Sequence, residues 1–191
     1  MFISFAREFL TRELPMADDT GELDRTDLRI LEVLQRDAAM SAAEIGELVG
    51  VTGPTAWRRI TRLEKSGVIT GRHAAIDPAK VGLGLTVYVS IKLINGSREY
   101  LTAFAQAIEK IPEIVECAMT TGGSSFLLRV LVQDTAAYEA FFVDVIAGLP
   151  GLLATDSVFV LSKVKSTPML PVGVAPRRAS LSRWIGKSAK P

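Results

Sequence analysis

Three arginines on one short segment are the side chains of this sequence best suited to hold a charged partner. Arg58, Arg59 and Arg62 lie in the stretch PTAWRRITRLEK, whose apolar residues recur at helical spacing. A guanidinium group donates hydrogen bonds as a fixed fork, which fits a phosphate or the edge of guanine. Residues 54–72 carry five Arg or Lys side chains and one Glu. This local positive charge predicts a helix that contacts DNA.

Two shorter helical segments precede the arginines and give the region the order of a helix-turn-helix. Asp24 is placed to cap the first helix. Ser41 and Glu44 form a capping box for the second helix, and Gly50 is placed to end it. The apolar residues predicted for these helices are Leu28, Ile30, Leu31, Val33, Leu34, Ile45, Leu48 and Val49.

The arginine helix begins at a capping residue and is followed by a predicted wing. Trp57, Ile60 and Leu63 are three residues apart, so we expect them to face the core. Val68–Asp77 is predicted to form the wing strand. The complete winged helix-turn-helix is placed at residues 23–77. The predicted DNA-binding residues are Thr52, Pro54, Thr55, Arg58, Arg59, Arg62 and Arg72.

Composition limits the other possibilities. The chain has 191 residues, a net charge of +1 and a 48% hydrophobic share, which permit one or two small folded domains. One cysteine excludes an internal disulfide, and we expect Cys117 to lie in the core. One histidine and one cysteine cannot form a conventional zinc site. No catalytic residue, metal or cofactor is predicted.

The two ends of the chain differ from its centre. Residues 1–22 are taken as an N-terminal extension, and Met16 offers a second start, so residues 1–15 are either a helical extension or a start-site artefact. No apolar run reaches the length of a membrane span, and Arg7 and Glu8 interrupt the apolar start, so a cytoplasmic protein is expected. Residues 168–191 form a basic tail, interpreted as a solubilising segment, an auxiliary phosphate contact or a membrane contact.

The second half reads as alternating strands and helices after a hinge at residues 78–84. The segment LTVYVSIKL alternates apolar and polar residues, as expected of a strand with one buried face. Turn residues and apolar periodicity give strands at 85–93, 114–121, 125–133 and 152–165, and helices at 98–111 and 135–149. The order βαββαβ predicts a ferredoxin-like domain at residues 85–167, hence an α+β protein. The sheet face opposite the helices is expected to be covered by a second copy of the chain.

Four segments together resemble the leucine-responsive/asparagine-responsive (Lrp/AsnC) family of regulators. They are LDRTDLRILEVLQRD, GVTGPTAWRRITRLEKSGVITG, AIDPAKVGL and LPGLLATDSVFVLSKVK. The resemblance implies a sequence-specific regulator of transcription that binds double-stranded DNA. It also implies homodimers that assemble further, commonly to octamers, and a small effector such as an amino acid bound in the second domain.

The turn between strands two and three departs from that family. The family usually has acidic residues there, whereas this chain reads Gly122-Gly123-Ser124-Ser125. Backbone N–H groups of the glycines could hold a carboxylate, while the ammonium group of an amino acid would lack its acidic partner. The alternatives are weaker amino-acid binding, a ligand without the amine, an effector bound differently, or no effector. The expected effector-binding residues are Thr121, Gly122, Gly123, Ser124, Ser125, Val158 and Val160.

Two other functions fit parts of the sequence. The same architecture resembles decarboxylases acting on sirohaem, which use histidines, but this chain has a single histidine, His73, on the predicted wing. A stand-alone interaction module that has lost DNA binding is the other alternative, and the three arginines disfavour it. A transcription regulator without catalysis is therefore the leading interpretation.

Overall fold

The computed structural model describes residues 23–123 and 125–173. These residues fall into two compact units, one of residues 23–74 with 167–173 and the other of residues 75–166. We call them the helical unit and the sheet unit. The prediction of an α+β protein with helices first and a four-stranded antiparallel sheet second is confirmed.

The helical unit consists of three helices whose ends follow the predicted caps. They are α1 at Arg25–Arg36, α2 at Ala42–Val49 and α3 at Gly53–Lys65. Both α1 and α2 start with a complete capping box, in which Asp24 pairs with Asp27 and Ser41 pairs with Glu44. Gly50 takes a left-handed conformation with φ of 79° after α2, which a side chain would oppose.

Two predictions about the core of the helical unit are wrong. Trp57 is 63% exposed and Leu48 is 55% exposed, although both were expected to be buried. On α3 the buried stripe is Ala56, Ile60 and Leu63, spaced by four and three residues, which leaves Trp57 on the solvent side. The core of the unit consists of Ile30, Leu31, Leu34, Ile45, Val49, Ile60 and Leu63.

The predicted wing strand at Val68–Asp77 is wrong. None of the strands in the described part of the chain lies between α3 and residue 85. A strand requires a neighbour that accepts its backbone hydrogen bonds, and this segment has no such ladder. Val68 and Ile69 are half-buried against the helical core, and residues 70–77 are exposed. They lead to a short 3₁₀ turn at Pro78–Val81, whose start is capped by the Asp77 side chain.

A short segment that follows the sheet unit in the sequence packs against the helices of the helical unit. The backbone of Leu170 forms two hydrogen bonds with the side-chain amide of Gln35 on α1: its N–H donates to Oε1 at 2.5 Å, and its carbonyl accepts from Nε2 at 3.2 Å. Val172 packs against the helical core. We call residues 167–173 the C-terminal strap; the rest of the predicted basic tail lies outside the described residues.

The sheet unit has the predicted βαββαβ order. Its strands are β1 at Leu85–Leu93, β2 at Ile114–Met119, β3 at Phe126–Val132 and β4 at Leu152–Phe159. Its helices are α4 at Arg98–Ile108 and α5 at Thr135–Asp144. The strand order is β2-β3-β1-β4, and every neighbouring pair is antiparallel.

Both helices of the sheet unit supply side chains to one core. Phe104 of α4 stacks on Phe126 of β3 with ring centroids 4.6 Å apart. Tyr138 of α5 places its hydroxyl 2.6 Å from the Ser157 hydroxyl on β4. Val87, Val89 and Ile91 of β1 are completely buried in this core. The alternation predicted for β1 therefore places these three residues on the helix side.

Two further differences between prediction and structure concern the end of β4 and a residue of the edge strand β2. β4 stops at Phe159 rather than near Lys165. Phe159 pairs with Val87, so only Thr86 and Leu85 of β1 lie beyond it, too few to pair with a strand reaching Lys165. Cys117 was expected in the core but is exposed, since β2 is an edge strand. Partial burial of its thiol still raises the pKa of Cys117 to about 11, so the thiol stays protonated at neutral pH.

Two kinds of feature are absent from the described residues. None of their helices is long and apolar enough to cross a membrane. No group of three or more His, Cys, Asp or Glu side chains among them is arranged to hold a metal ion.

Candidate nucleic-acid interface

The exposed side of α3 is the candidate DNA-binding surface. Pro54, Trp57, Arg58, Arg62 and Lys65 are exposed along this helix. Arg58 makes no hydrogen bond or ion pair with the part of the chain that the structure describes. Its guanidinium is therefore available to an external acceptor.

Arg59 and Arg62 are engaged inside the protein, which the sequence did not reveal. Asp27 is fully buried. Its Oδ1 accepts from Arg59 Nη1 at 2.9 Å, and its Oδ2 accepts from Arg62 Nη2 at 2.5 Å. The Asp27 carboxylate also completes the capping box by accepting from the Asp24 backbone N–H at 3.1 Å. Both arginines therefore attach α3 to the start of α1.

Asp24 extends this ion-pair cluster towards solvent. Its carboxylate accepts from Arg59 Nη1 at 2.6 Å. The hydrogen bond from the Asp27 backbone, followed by that from Arg59, lowers the pKa of Asp24. The hydrogen bonds to Asp24 and then to Asp27 raise the pKa of Arg59. We call Asp24, Asp27, Arg59 and Arg62 the arginine–aspartate cluster.

Three other predicted DNA-binding residues have partners within the helical unit. Arg72 donates to Glu64 at 2.9 Å and to the Ala38 carbonyl at 3.3 Å. The Thr52 hydroxyl donates to the Thr55 hydroxyl at 2.9 Å, and no side-chain hydrogen bond caps α3. Pro54 lies in the first turn of α3, where its missing N–H removes no helical bond.

The predicted effector turn lies at one end of the sheet. Thr121, Gly122 and Gly123 are exposed, and Gly122 has a φ of 108°. Ser125 is held by the sheet, because its N–H donates to the Ile91 carbonyl at 2.7 Å and its hydroxyl accepts from the Leu93 N–H at 3.2 Å. Ser124 lies outside the described residues.

Within one chain, the structure does not bring this turn together with the two valines of the predicted pocket. The turn is next to the Ile91 end of β1. Val158 pairs with Tyr88, and the Val160 N–H donates to the Thr86 carbonyl, further along β1. Three residues along a strand span about 10 Å, and β4 is two strands from β3. A single site containing both groups would require a neighbouring chain.

Comparison with family models matches both units. Residues 23–64 match the AsnC-type helix-turn-helix domain, and residues 86–170 match the Lrp/AsnC ligand binding domain. The second match extends to Leu170, the strap residue that binds Gln35.

Sequence relatives of known function and solved structures indicate the same class of protein as the family models. The chain is 35% identical to the DNA-binding transcriptional activator DecR of Escherichia coli K12 over 78% of this chain and 99% of that protein. An AsnC family transcriptional regulator from Agrobacterium tumefaciens is 39% identical, with a TM-score of 0.74 over 78% of this chain and 96% of that one. A regulator from Neisseria meningitidis, solved as a complex with L-Met, is 30% identical, with a TM-score of 0.75 over 79% and 97% of the two chains. On these matches and this fold, the chain belongs to the Lrp/AsnC family of DNA-binding transcriptional regulators.

Proposed function

We propose that this regulator binds a pseudo-palindromic DNA site as a dimer, with Arg58 of each α3 reading a base edge in the major groove. This proposal rests on the different environments of the three arginines of α3. Arg59 and Arg62 are held by the buried Asp27, whereas Arg58 is exposed and unpaired among the described residues. The cluster fixes α3 on α1, so that the helix presents Arg58 in a defined direction.

Selection of binding sites from random double-stranded DNA tests this function. Two inverted half-sites are expected, separated by about one helical turn or a multiple of it, because a two-fold dimer presents two recognition helices. Failure to enrich any sequence would contradict sequence-specific binding. Since its partner is DNA, we place the protein in the cytoplasm and propose no enzymatic role. His73, which the sirohaem decarboxylase alternative would need, is exposed on the loop after α3.

Exposed apolar side chains on the sheet face away from the helices support the proposed dimer. Tyr88, Leu127 and Val158 are on neighbouring strands β1, β3 and β4, and all three side chains are exposed on the side away from the helices. An ion pair between Arg129 and Glu116 at 3.1 Å borders them. A second copy of this face would cover the apolar side chains. Further assembly to an octamer is implied by the family resemblance.

The substitution Leu127→Glu is expected to dissociate the dimer, because it would place a carboxylate within the covered apolar face. Light scattering at micromolar concentration should show a smaller particle than the wild type. The matched control is Val143→Glu, at an exposed position on α5, which should leave the mass unchanged. A wild-type protein that is already monomeric under these conditions would contradict the proposed interface.

A small effector is proposed to bind the sheet unit at the turn of residues 121–125. The L-Met complex of the Neisseria meningitidis relative supports a ligand of the amino-acid class. In this chain the exposed glycines offer backbone N–H groups for a carboxylate, but the described part of the turn has no acidic side chain for an ammonium group. Val158 or Val160 would complete the apolar part of the pocket from a neighbouring chain.

Calorimetry with amino acids and the matching keto acids is expected to show weak amino-acid binding, or a preference for the ligand without the amine. Gly123→Arg should abolish that binding. This position suits the test because a Cβ at Gly123 would meet no atom within 4 Å and its φ is not left-handed, so the variant should fold. Tight binding of an ordinary amino acid that persists in Gly123→Arg would show that the pocket lies elsewhere.

A further inference from the structure

The most unusual side chain of the helical unit is the exposed indole of Trp57. A tryptophan has a large apolar surface and is ordinarily largely buried. Trp57 is 63% exposed, while the much smaller Ala56 beside it is completely buried. The core of the helical unit is therefore filled without the indole.

Trp57 borders the surface that carries Arg58. Pro54, Arg58 and Lys65 lie opposite the buried stripe of α3, and Trp57 flanks them on one side. Arg62 flanks them on the other side and is tied to Asp27. Trp57 is in the second turn of α3, within the N-terminal half of a recognition helix that contacts base edges in this type of domain.

We propose that Trp57 is a specificity-determining residue, whose indole packs on the 5-methyl group of a thymine in each half-site. The inference rests on the proposed DNA-binding function and adds a second base reader next to Arg58. An indole carries no charge, so attraction to phosphate does not explain its exposure. The thymine methyl is the apolar group that the major groove presents to a protein. The Trp57 side chain is rigid and has few rotatable bonds, so it loses little conformational entropy when it contacts the methyl group.

Deoxyuridine substitution measures this contact, because it removes the thymine methyl and leaves the hydrogen-bonding edge unchanged. In the selected DNA site, each thymine is replaced in turn. We expect wild-type affinity to fall about fourfold at one thymine of each half-site, the equivalent of one buried methyl group. Trp57→Ala should bind the thymine and deoxyuridine sites equally well. A loss at the same thymine that is equal in wild type and Trp57→Ala would overturn the proposal.

Binding-site selection with Trp57→Ala gives an independent result. The variant should lose the thymine preference at that position and keep the positions read by Arg58. The control Leu48→Ala removes a side chain of similar exposure from α2 and should select the wild-type site. Selection of an unaltered site by Trp57→Ala together with a changed oligomeric mass would assign Trp57 to a contact between chains and overturn the proposal.

Fluorescence separates failure of this inference from failure of the function. The chain has two tryptophans, so Trp184→Phe leaves Trp57 as the single indole emitter. Its emission should shift and weaken on the selected DNA and change less on the deoxyuridine site. Specific binding without any change in emission would contradict the contact. Absence of specific binding by the wild type would instead contradict the proposed function.

Discussion

Replacing Arg59 and Arg62 together by alanine is expected to destabilise the helical unit by about 3–5 kcal/mol, the usual effect of leaving a buried charge without its partners. Both arginines donate to Asp27, which has no exposed surface. Asp27 would keep its hydrogen bond from the Asp24 backbone but lose both positive partners. Urea unfolding followed by the helical signal measures the loss.

Arg58→Ala is the matched control for this experiment. It removes the same side chain from the same helix but breaks no contact with the described residues, so its stability should stay within about 0.5 kcal/mol of the wild type. Adding Asp27→Asn to the double variant should recover part of the lost stability, because the buried group would then be neutral. If the double variant unfolds at the same urea concentration as Arg58→Ala, the cluster contributes nothing to stability.

Arg58→Ala is expected to weaken DNA binding by about 1–3 kcal/mol, roughly 5- to 150-fold, if its guanidinium reads guanine. Anisotropy titrations on the selected site and on unrelated DNA, at several salt concentrations, measure this effect. A base contact predicts loss mainly on the selected site. A phosphate contact predicts similar loss on all DNA, with a salt slope smaller by about one.

Lys110→Ala, in the sheet unit, is the control for the loss of one positive charge. It should leave both the affinity and the salt slope close to the wild type. Unchanged affinity in Arg58→Ala would contradict the assigned role of α3.

The arginine–aspartate cluster makes a triple alanine variant of Arg58, Arg59 and Arg62 uninformative. Such a variant would lose DNA binding through unfolding as well as through lost DNA contacts.

Local signals were sufficient to predict the helix starts and the element order. The caps at Asp24 and Ser41 involve residues three apart in the chain, so they can be recognised without knowing the fold. The alternation of β1 was equally clear, because a strand with one buried face repeats every two residues. These signals gave the α+β prediction and carried the family resemblance.

Long-range packing explains what the sequence did not reveal. Trp57 fits a helical period with Ile60 and Leu63, and the packing of α3 on its neighbours decides that Ala56 occupies the buried position instead. Asp27 lies in the first turn of α1, where an acidic residue is favoured on local grounds alone. Its burial depends on arginines 32 and 35 residues away, which no local pattern connects to it. The sites proposed between chains require a second copy and are likewise absent from any local pattern.

The C-terminal strap makes the helical unit discontinuous in sequence. Gln35 and Leu170 are separated by 135 residues, and the whole sheet unit lies between them, in the position of an inserted domain. During synthesis, α1, α2 and α3 leave the ribosome first and can fold early. They gain the contacts of Leu170 and Val172 after the complete sheet unit has been translated. These stabilising contacts of the DNA-binding unit therefore form only on chains whose ligand-binding domain has already been made.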